Sequence, residues 1–351
     1  MDTLMLVYKG KSSEDLYTAS FDGRSWHGNT KIRDEPGHLA PQSDRGPGVA
    51  VYNNWLYLLY KGDSSNDLYT AWWDGKRWNG NLKISDQRGG VNPQSNRGPN
   101  LAVYKGLLFT VYKGGSHDDL YSAWFDGTTW YGDTRLEEQP GGISPESNHN
   151  PGMAVFDDKL YIVYKGASSD KLYLAWFDGR RWAGNVAISE MPGGISPKSD
   201  HRPSAISFDG KLYLVYKGAS SSHLYTAWFD GSKWSGNTKI KEQPGGVDPE
   251  SNEGPSAQIY DGKLYIVYKG ASSDALYTAW FDGSTWRGNT KISEQPGGID
   301  PESNHQPGVA LAVNTPTSRL DWMRFLPDSL SIGQINVPGT HDSAAINTSI
   351  H

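Results

Sequence analysis

The sequence contains no cysteine, so neither a disulfide framework nor a thiolate metal site can be built from it. No apolar run approaches the roughly 18 residues that a membrane-spanning helix needs. Basic charge is in deficit: 33 Lys and Arg stand against 39 Asp and Glu, a formal net charge of -6. That excludes the basic footprint of a nonspecific nucleic-acid binder. The opening residues, Met1 to Tyr8, lack the basic segment and apolar core of an export signal and read as a strand. Long Leu/Ala/Glu stretches are scarce too. What is abundant is 14 Trp, 20 Tyr and 41 Gly in 351 residues, the balance of an all-β protein rich in turns.

Self-similarity organises the chain. Tyr-Lys-Gly begins at Tyr8, Tyr60, Tyr112, Tyr164, Tyr216 and Tyr268, a spacing of 52 residues with no slip. Trp26, Trp78, Trp130, Trp182, Trp234 and Trp286 keep the same register, each preceded by an Asp-Gly pair. Within one copy, residues 255–260 and 264–268 read as strands joined by Asp261-Gly262, a strong two-residue hairpin signal. Residues 276–281 read as a third strand and 290–292 as the end of a fourth. Residues 294–306 form a Gly/Pro/Ser-rich loop to the next copy.

Four short antiparallel strands per repeat of this length make a propeller blade, which buries its faces only by stacking on neighbours. The chain begins at a blade's second strand, Thr3 to Tyr8, and the missing first strand follows the sixth copy at residues 307–313. The ends are therefore expected to share one blade and close the ring without a free edge. The expected organisation is a six-bladed β-propeller over residues 1–313, a linker over 314–319 and a separate tail over 320–351.

The tail holds Trp322-Met323, Leu326-Pro327 and then Pro338-Gly339-Thr340-His341-Asp342-Ser343. It resembles the start of bacterial-type phosphatidylinositol-specific phospholipase C X domains, whose fold is a TIM-type barrel. The resemblance implies a general-base role for His341 and an adjacent active-site carboxylate for Asp342. It covers about 32 residues, under a tenth of the chain. The family's phosphate-binding Arg and second His belong further along, so this half-site is expected to be inactive. The parent would act on phosphoinositide or GPI-type lipid, with this chain as a truncated fragment.

Near-identical blades suit several equivalent binding sites rather than one catalytic centre. Side chains of the kind that hold sugars recur in every copy. In the inter-blade loop they are Ser43-Asp44, Ser95-Asn96, Ser147-Asn148, Ser199-Asp200, Ser251-Asn252 and Ser303-Asn304. Lys9, Lys61, Lys113, Lys165, Lys217 and Lys269 recur as well, as do Trp72, Trp124, Trp176, Trp228 and Trp280 of the third strand. Ser20 replaces that Trp in the first blade, which marks its site as defective. The architecture is similar to six-bladed lectin propellers, which hold sugars between blades, and implies glycan or glycoconjugate partners.

Structural roles compete with these assignments. A once-per-blade Trp can pack blade on blade, and Ser-Asn pairs can hold the loop by Asx-type bonds. His149, His201 and His305 share a loop slot with Arg97 and Glu253, so neither a metal nor a catalytic role is expected there, and no cofactor is expected in the chain. The Asp-Gly-Ser-Thr-Trp hairpins resemble the Asp boxes of sialidases, which are turns remote from catalysis. Clustered arginines from different blades, which a sialidase requires, are not evident; Arg24, Arg77, Arg180 and Arg287 sit at variable turns. A protein-interaction scaffold is the other reading. A monomer at the cell surface or outside the cell is expected.

Overall fold

A computed structural model of the protein describes residues 2–312. The linker and tail expected over 314–351, with His341 and Asp342, lie outside the described residues.

Six four-stranded antiparallel sheets form a ring. The second blade serves as the pattern: Gly48–Tyr52 innermost, then Trp55–Lys61, Leu68–Trp73 and Trp78–Lys83 outermost. Both faces of Trp55–Lys61 are buried except at its first residue, because each sheet is sandwiched between two others. Asn53 and Asn54 take φ of 48° and 64°, the doubly left-handed turn that matches strand twist. The third and fourth strands meet at an Asx turn, where Asp74 Oδ1 accepts from the backbone N–H groups of Lys76 and Arg77.

A β-bulge at Thr70/Ala71 faces Gly80 and Asn81, which carry φ of 87° and 66°. The left-handed turn aims the Asn81 carbonyl oxygen inward to accept from the buried Tyr60 hydroxyl. The same pair recurs in every blade, with Asp133 replacing Asn in the third. The bulge lets the fourth strand pair from its Trp onward. In the sixth blade that strand is therefore Trp286–Lys291, longer than residues 290–292 suggested, and Ile292 opens a 3-10 turn.

The repeated Trp is the clasp between blades. Trp182 is 2% exposed. Its backbone N–H donates to Pro140 O at 2.8 Å and its indole N–H to Gln139 Oε1 at 3.0 Å, both from the loop of the preceding repeat. Trp26 closes the circle by donating to Pro296 O at 2.8 Å. Gly308–Ala312 pairs antiparallel with Thr3–Lys9, so the first blade draws strands from both ends of the propeller segment, as expected.

Candidate functional site

Each blade has two ends, and the candidate residues divide between them. The hairpin end carries the turns at residues 53–54 and 74–77. The loop end carries the turn at 62–67, tied to the inter-blade loop by a bridge between Asp67 and Gln94. Trp72 lies opposite Tyr57, near the hairpin end, whereas Lys61 pairs with Leu68 four residues further along the strand. At ~3.3 Å per residue that is about 13 Å. The structure therefore does not bring the third-strand tryptophans together with the Ser-Asn/Asp loops and the lysines, which sequence reasoning had grouped.

At the loop end, the six serines Ser43, Ser95, Ser147, Ser199, Ser251 and Ser303 are fully buried. Each hydroxyl accepts from the backbone N–H two residues on, as in Ser199 with His201 at 3.2 Å. The lysines are 4–7% exposed. Their ammonium groups cap turn carbonyls, and all but that of Lys113 reach the loop amide or carboxylate: Lys269 Nζ to Asn252 Oδ1 at 2.9 Å, Lys217 Nζ to Asp200 at 2.7 and 2.8 Å. Lys9 reaches Asn304 at 3.4 Å, Lys61 reaches Asp44 at 2.9 Å and Lys165 reaches Asn148 at 3.3 Å. Asn96 donates to Gly115 O at 3.0 Å and Asn148 to Ala167 O at 3.2 Å. Apart from Asn96 Oδ1, which has no protein partner, these atoms satisfy one another, as buried polar groups do, and hold the loop.

The hairpin end is aromatic. Trp72 stacks on Tyr57 with ring centroids 6.0 Å apart, and Tyr57 meets Phe125 of the next blade at 6.0 Å. The arrangement repeats, with Trp124 on Phe109 at 5.8 Å with Phe177, Trp228 on Tyr213 at 5.7 Å with Phe281, and Trp280 on Tyr265 at 6.3 Å with Phe21, while Trp176 meets Tyr161 at 6.0 Å tilted by 38°. All five tryptophans are half-buried. In four blades the indole edge lies over the bulge glycine, where a Cβ on Gly80 would meet the Trp72 ring at 2.4 Å. Trp280 is turned differently, between Lys263 and Arg287 at 5.3 and 5.7 Å from its ring. The cleft between the first and second blades lacks the cage: Met5 and Ser20 stand opposite one another there.

Sequence reasoning missed the axis. The slot after each Ser-Asn/Asp pair points to the centre of the ring, so Arg45, Arg97, His149, His201, Glu253 and His305 line one cavity of about 140 Å³ at the loop end. Clustered arginines do exist here, contrary to the expectation that only turn arginines occur. The convergence of unlike side chains also departs from the expectation that every blade offers the same groups. The signal was present in the six copies, as two positions that vary widely between an unvarying Ser and an unvarying Pro.

Below this mouth, Asn150, Arg202 and Gln306 cross the axis, and the other three repeats place Gly46, Gly98 and Gly254 at the same position. Arg202 Nε donates to Gln306 Oε1 at 2.8 Å and Nη1 to Pro99 O at 3.2 Å. Beyond the plug runs a channel of about 450 Å³ walled by innermost strands, with Val49, Met153, Ile206 and Ile259 among its lining. Burial lowers the Arg202 guanidinium to about 10, with Glu253 opposing. Burial pushes Glu253 itself up, against the pull of His201 and nearby cations. His149 is held down to about 3 by burial and then by Arg97, and His305 to about 4 by burial and then by Arg45.

A separate group at the rim, His223, Asp248 and Glu250, has metal-ligand character. The Lys241 ammonium sits 2.9 Å from His223 Nε2, and the other ring nitrogen lies 2.9 Å from Asp248. That is a closed ion-pair cluster on the surface.

No protein-family model matches the chain, and neither does any curated protein. Solved structures similar to it include the BP39L lectin from Burkholderia pseudomallei, with a TM-score of 0.56 and 19% identity over 83% of this chain and 81% of that one. A mutant of the Aleuria aurantia lectin in complex with Fucα1-6GlcNAc gives 0.59 and 17% over 85% and 93%. The Hadza microbial sialidase Hz136 gives 0.50 and 12% over 74% and 58%. At these identities the likeness shows a shared fold.

Proposed function

We propose that the protein is a multivalent carbohydrate-binding propeller whose sugars sit in the five aromatic clefts at the hairpin end. One observation carries this reading: a half-buried indole packed against a second ring recurs in five inter-blade clefts, stacked in four and tilted by 38° in that of Trp176. A half-exposed Trp offers a rigid apolar face, which suits the C–H face of a pyranose, at little entropic cost. Equivalent sites on one rigid ring give avidity without a new contact. The lectins of similar fold, one of them bound to a fucose-containing disaccharide, favour this class of ligand. In this reading Ser95, Asn96 and their counterparts hold the loops at the opposite end, and the indoles contact the sugar.

The tail extends the proposal. Its Pro-Gly-Thr-His-Asp-Ser stretch makes the propeller a module that brings a phosphodiesterase to glycan-bearing surfaces, at or outside the cell. A glycosidase reading of the propeller is less favoured. Glycoside hydrolysis ordinarily needs paired carboxylates, or a tyrosine nucleophile in sialidases; the axial cavity is lined by Glu253 alone and by no tyrosine.

The test is calorimetric titration with α-methyl-L-fucoside and N-acetylglucosamine, guided by a glycan array. Saturable binding at up to five sites, with Trp228→Ala removing one of them, is expected. No binding across a broad array would overturn the reading in favour of a protein-interaction scaffold.

A further inference from the structure

The axial mouth is a cationic pocket in an acidic protein. Three guanidiniums, Arg45, Arg97 and Arg202, converge from three loops on a cavity with one lining carboxylate, Glu253. The nearby Asp44 and Asp200 are already paired, at 2.9 Å with Lys61 and at 2.7 Å with Lys217. The guanidiniums are also oriented in advance. Arg97 Nε donates to Asn148 O at 2.9 Å and Arg45 Nε to Asn96 O at 3.4 Å, each a backbone carbonyl of the next repeat's loop. Both terminal nitrogens of Arg97 bond to no protein atom among the described residues. A fork fixed at its base with its tips free matches the two oxygens of an oxyanion.

The histidines report the same field. Asn148 is oriented by its bond to Ala167 O, so its carbonyl oxygen faces His149 Nδ1 at 2.9 Å. That fixes the proton on Nδ1. Burial and the arginines beside them keep His149 and His305 neutral, so these two rings add no positive charge to that of the guanidiniums. About 140 Å³ holds several waters at ~30 Å³ each, enough for one oxyanion and remaining solvent.

We propose that the axial mouth binds a small oxyanion, the carboxylate, sulfate or phosphate group of an acidic ligand, gripped by Arg97 and Arg45 above Arg202. The site is single, on the symmetry axis, and separate from the five aromatic clefts. It accounts for the divergence of the six copies at this slot. Six identical arginines aimed at one axis would repel one another, and six identical neutral residues would hold no charge.

The experiment follows the histidine ring signals of the whole chain by NMR while sodium sulfate, inorganic phosphate, glucuronate or glucose is added at constant ionic strength set with sodium chloride. Saturable shifts of the His149, His201 and His305 signals with the charged probes, and none with glucose, are expected. Sulfate or phosphate alone would identify a free inorganic or phosphate ligand; glucuronate would identify an acidic saccharide. Arg97→Gln should weaken binding about tenfold, the worth of one charge-assisted contact. Glu253→Gln should tighten it several-fold by removing the one opposing charge, a gain that misfolding cannot mimic. Shifts that follow chloride equally, or a Glu253→Gln protein that binds no tighter, would overturn the proposal. Fucoside binding at the clefts is read separately and should not change in either variant.

Discussion

The hairpin end and the loop end are made from the same repeat and solve opposite problems. At the hairpin end the copies agree. An indole packed on a second ring recurs in five clefts, because each cleft meets only its two neighbouring blades and can be repeated without conflict. At the loop end the copies meet on one axis, and agreement fails there: two Arg, three His and one Glu take the same slot, while three long side chains and three glycines take the next. A repeat protein can thus carry many equal sites between its units, but a site on the symmetry axis requires the symmetry to be broken.

The largest effect separates two sets of tryptophans. Trp182 is enclosed and twice bonded to the preceding loop, whereas Trp176 keeps part of its ring at the surface. Trp182→Ala should cost about 3–5 kcal/mol of stability by denaturant unfolding. Trp176→Ala should cost clearly less and instead remove a sugar site. Equal losses of stability would show that the half-buried set is also purely packing and would dissolve the contrast between clasp and platform.

Acid sharpens the contrast between the two ends. His149 and His305 protonate near 3 and 4 when folded and near 6.5 when unfolded. The unfolded chain therefore binds more protons between these values, so stability is complete above pH 6.5 and falls as the pH drops below it. At ~1.36 kcal/mol per unit, each histidine removes about 2 kcal/mol by pH 5. Glu253 works against this, since burial makes its folded form take up a proton first. His149→Gln should flatten the profile of unfolding free energy between pH 6.5 and 5 by its share, with sugar affinity at the far end unchanged. A profile unaltered by His149→Gln would mean that the axial field is screened by solvent.

The regularity of the repeat made the fold legible. A 52-residue period with Asp-Gly turns and alternating Tyr and Leu fixes four strands, and the ring closure by residues 307–313 followed from one missing strand. Two things were not. Position along a strand, unlike period, does not show which residues share an end, so Trp72 and Ser95 were joined although strand direction sets them apart. Convergence on the axis was hidden for a related reason: Arg45, Arg97 and Arg202 are 52 and 105 residues apart, and only the closed ring brings them within one cavity.

The smallest effect is an addition. In the first blade Ser20 pairs with Met5 on one side and His27 on the other, the places held by Tyr57 and Asn79 around Trp72. No indole covers Gly28; the nearest atoms to a Cβ there are backbone, 3.2 and 3.4 Å away. Ser20→Trp together with Met5→Tyr should therefore lay an indole over Gly28 as Trp176 lies over Gly184, completing the ring of clefts. Calorimetry should then count one more fucoside site than the parent protein, with the affinity per site unchanged. An unchanged count with the protein folded would show that the stacked pair is insufficient, and that the following blade must contribute Phe, as Phe125 does, where Trp73 now stands.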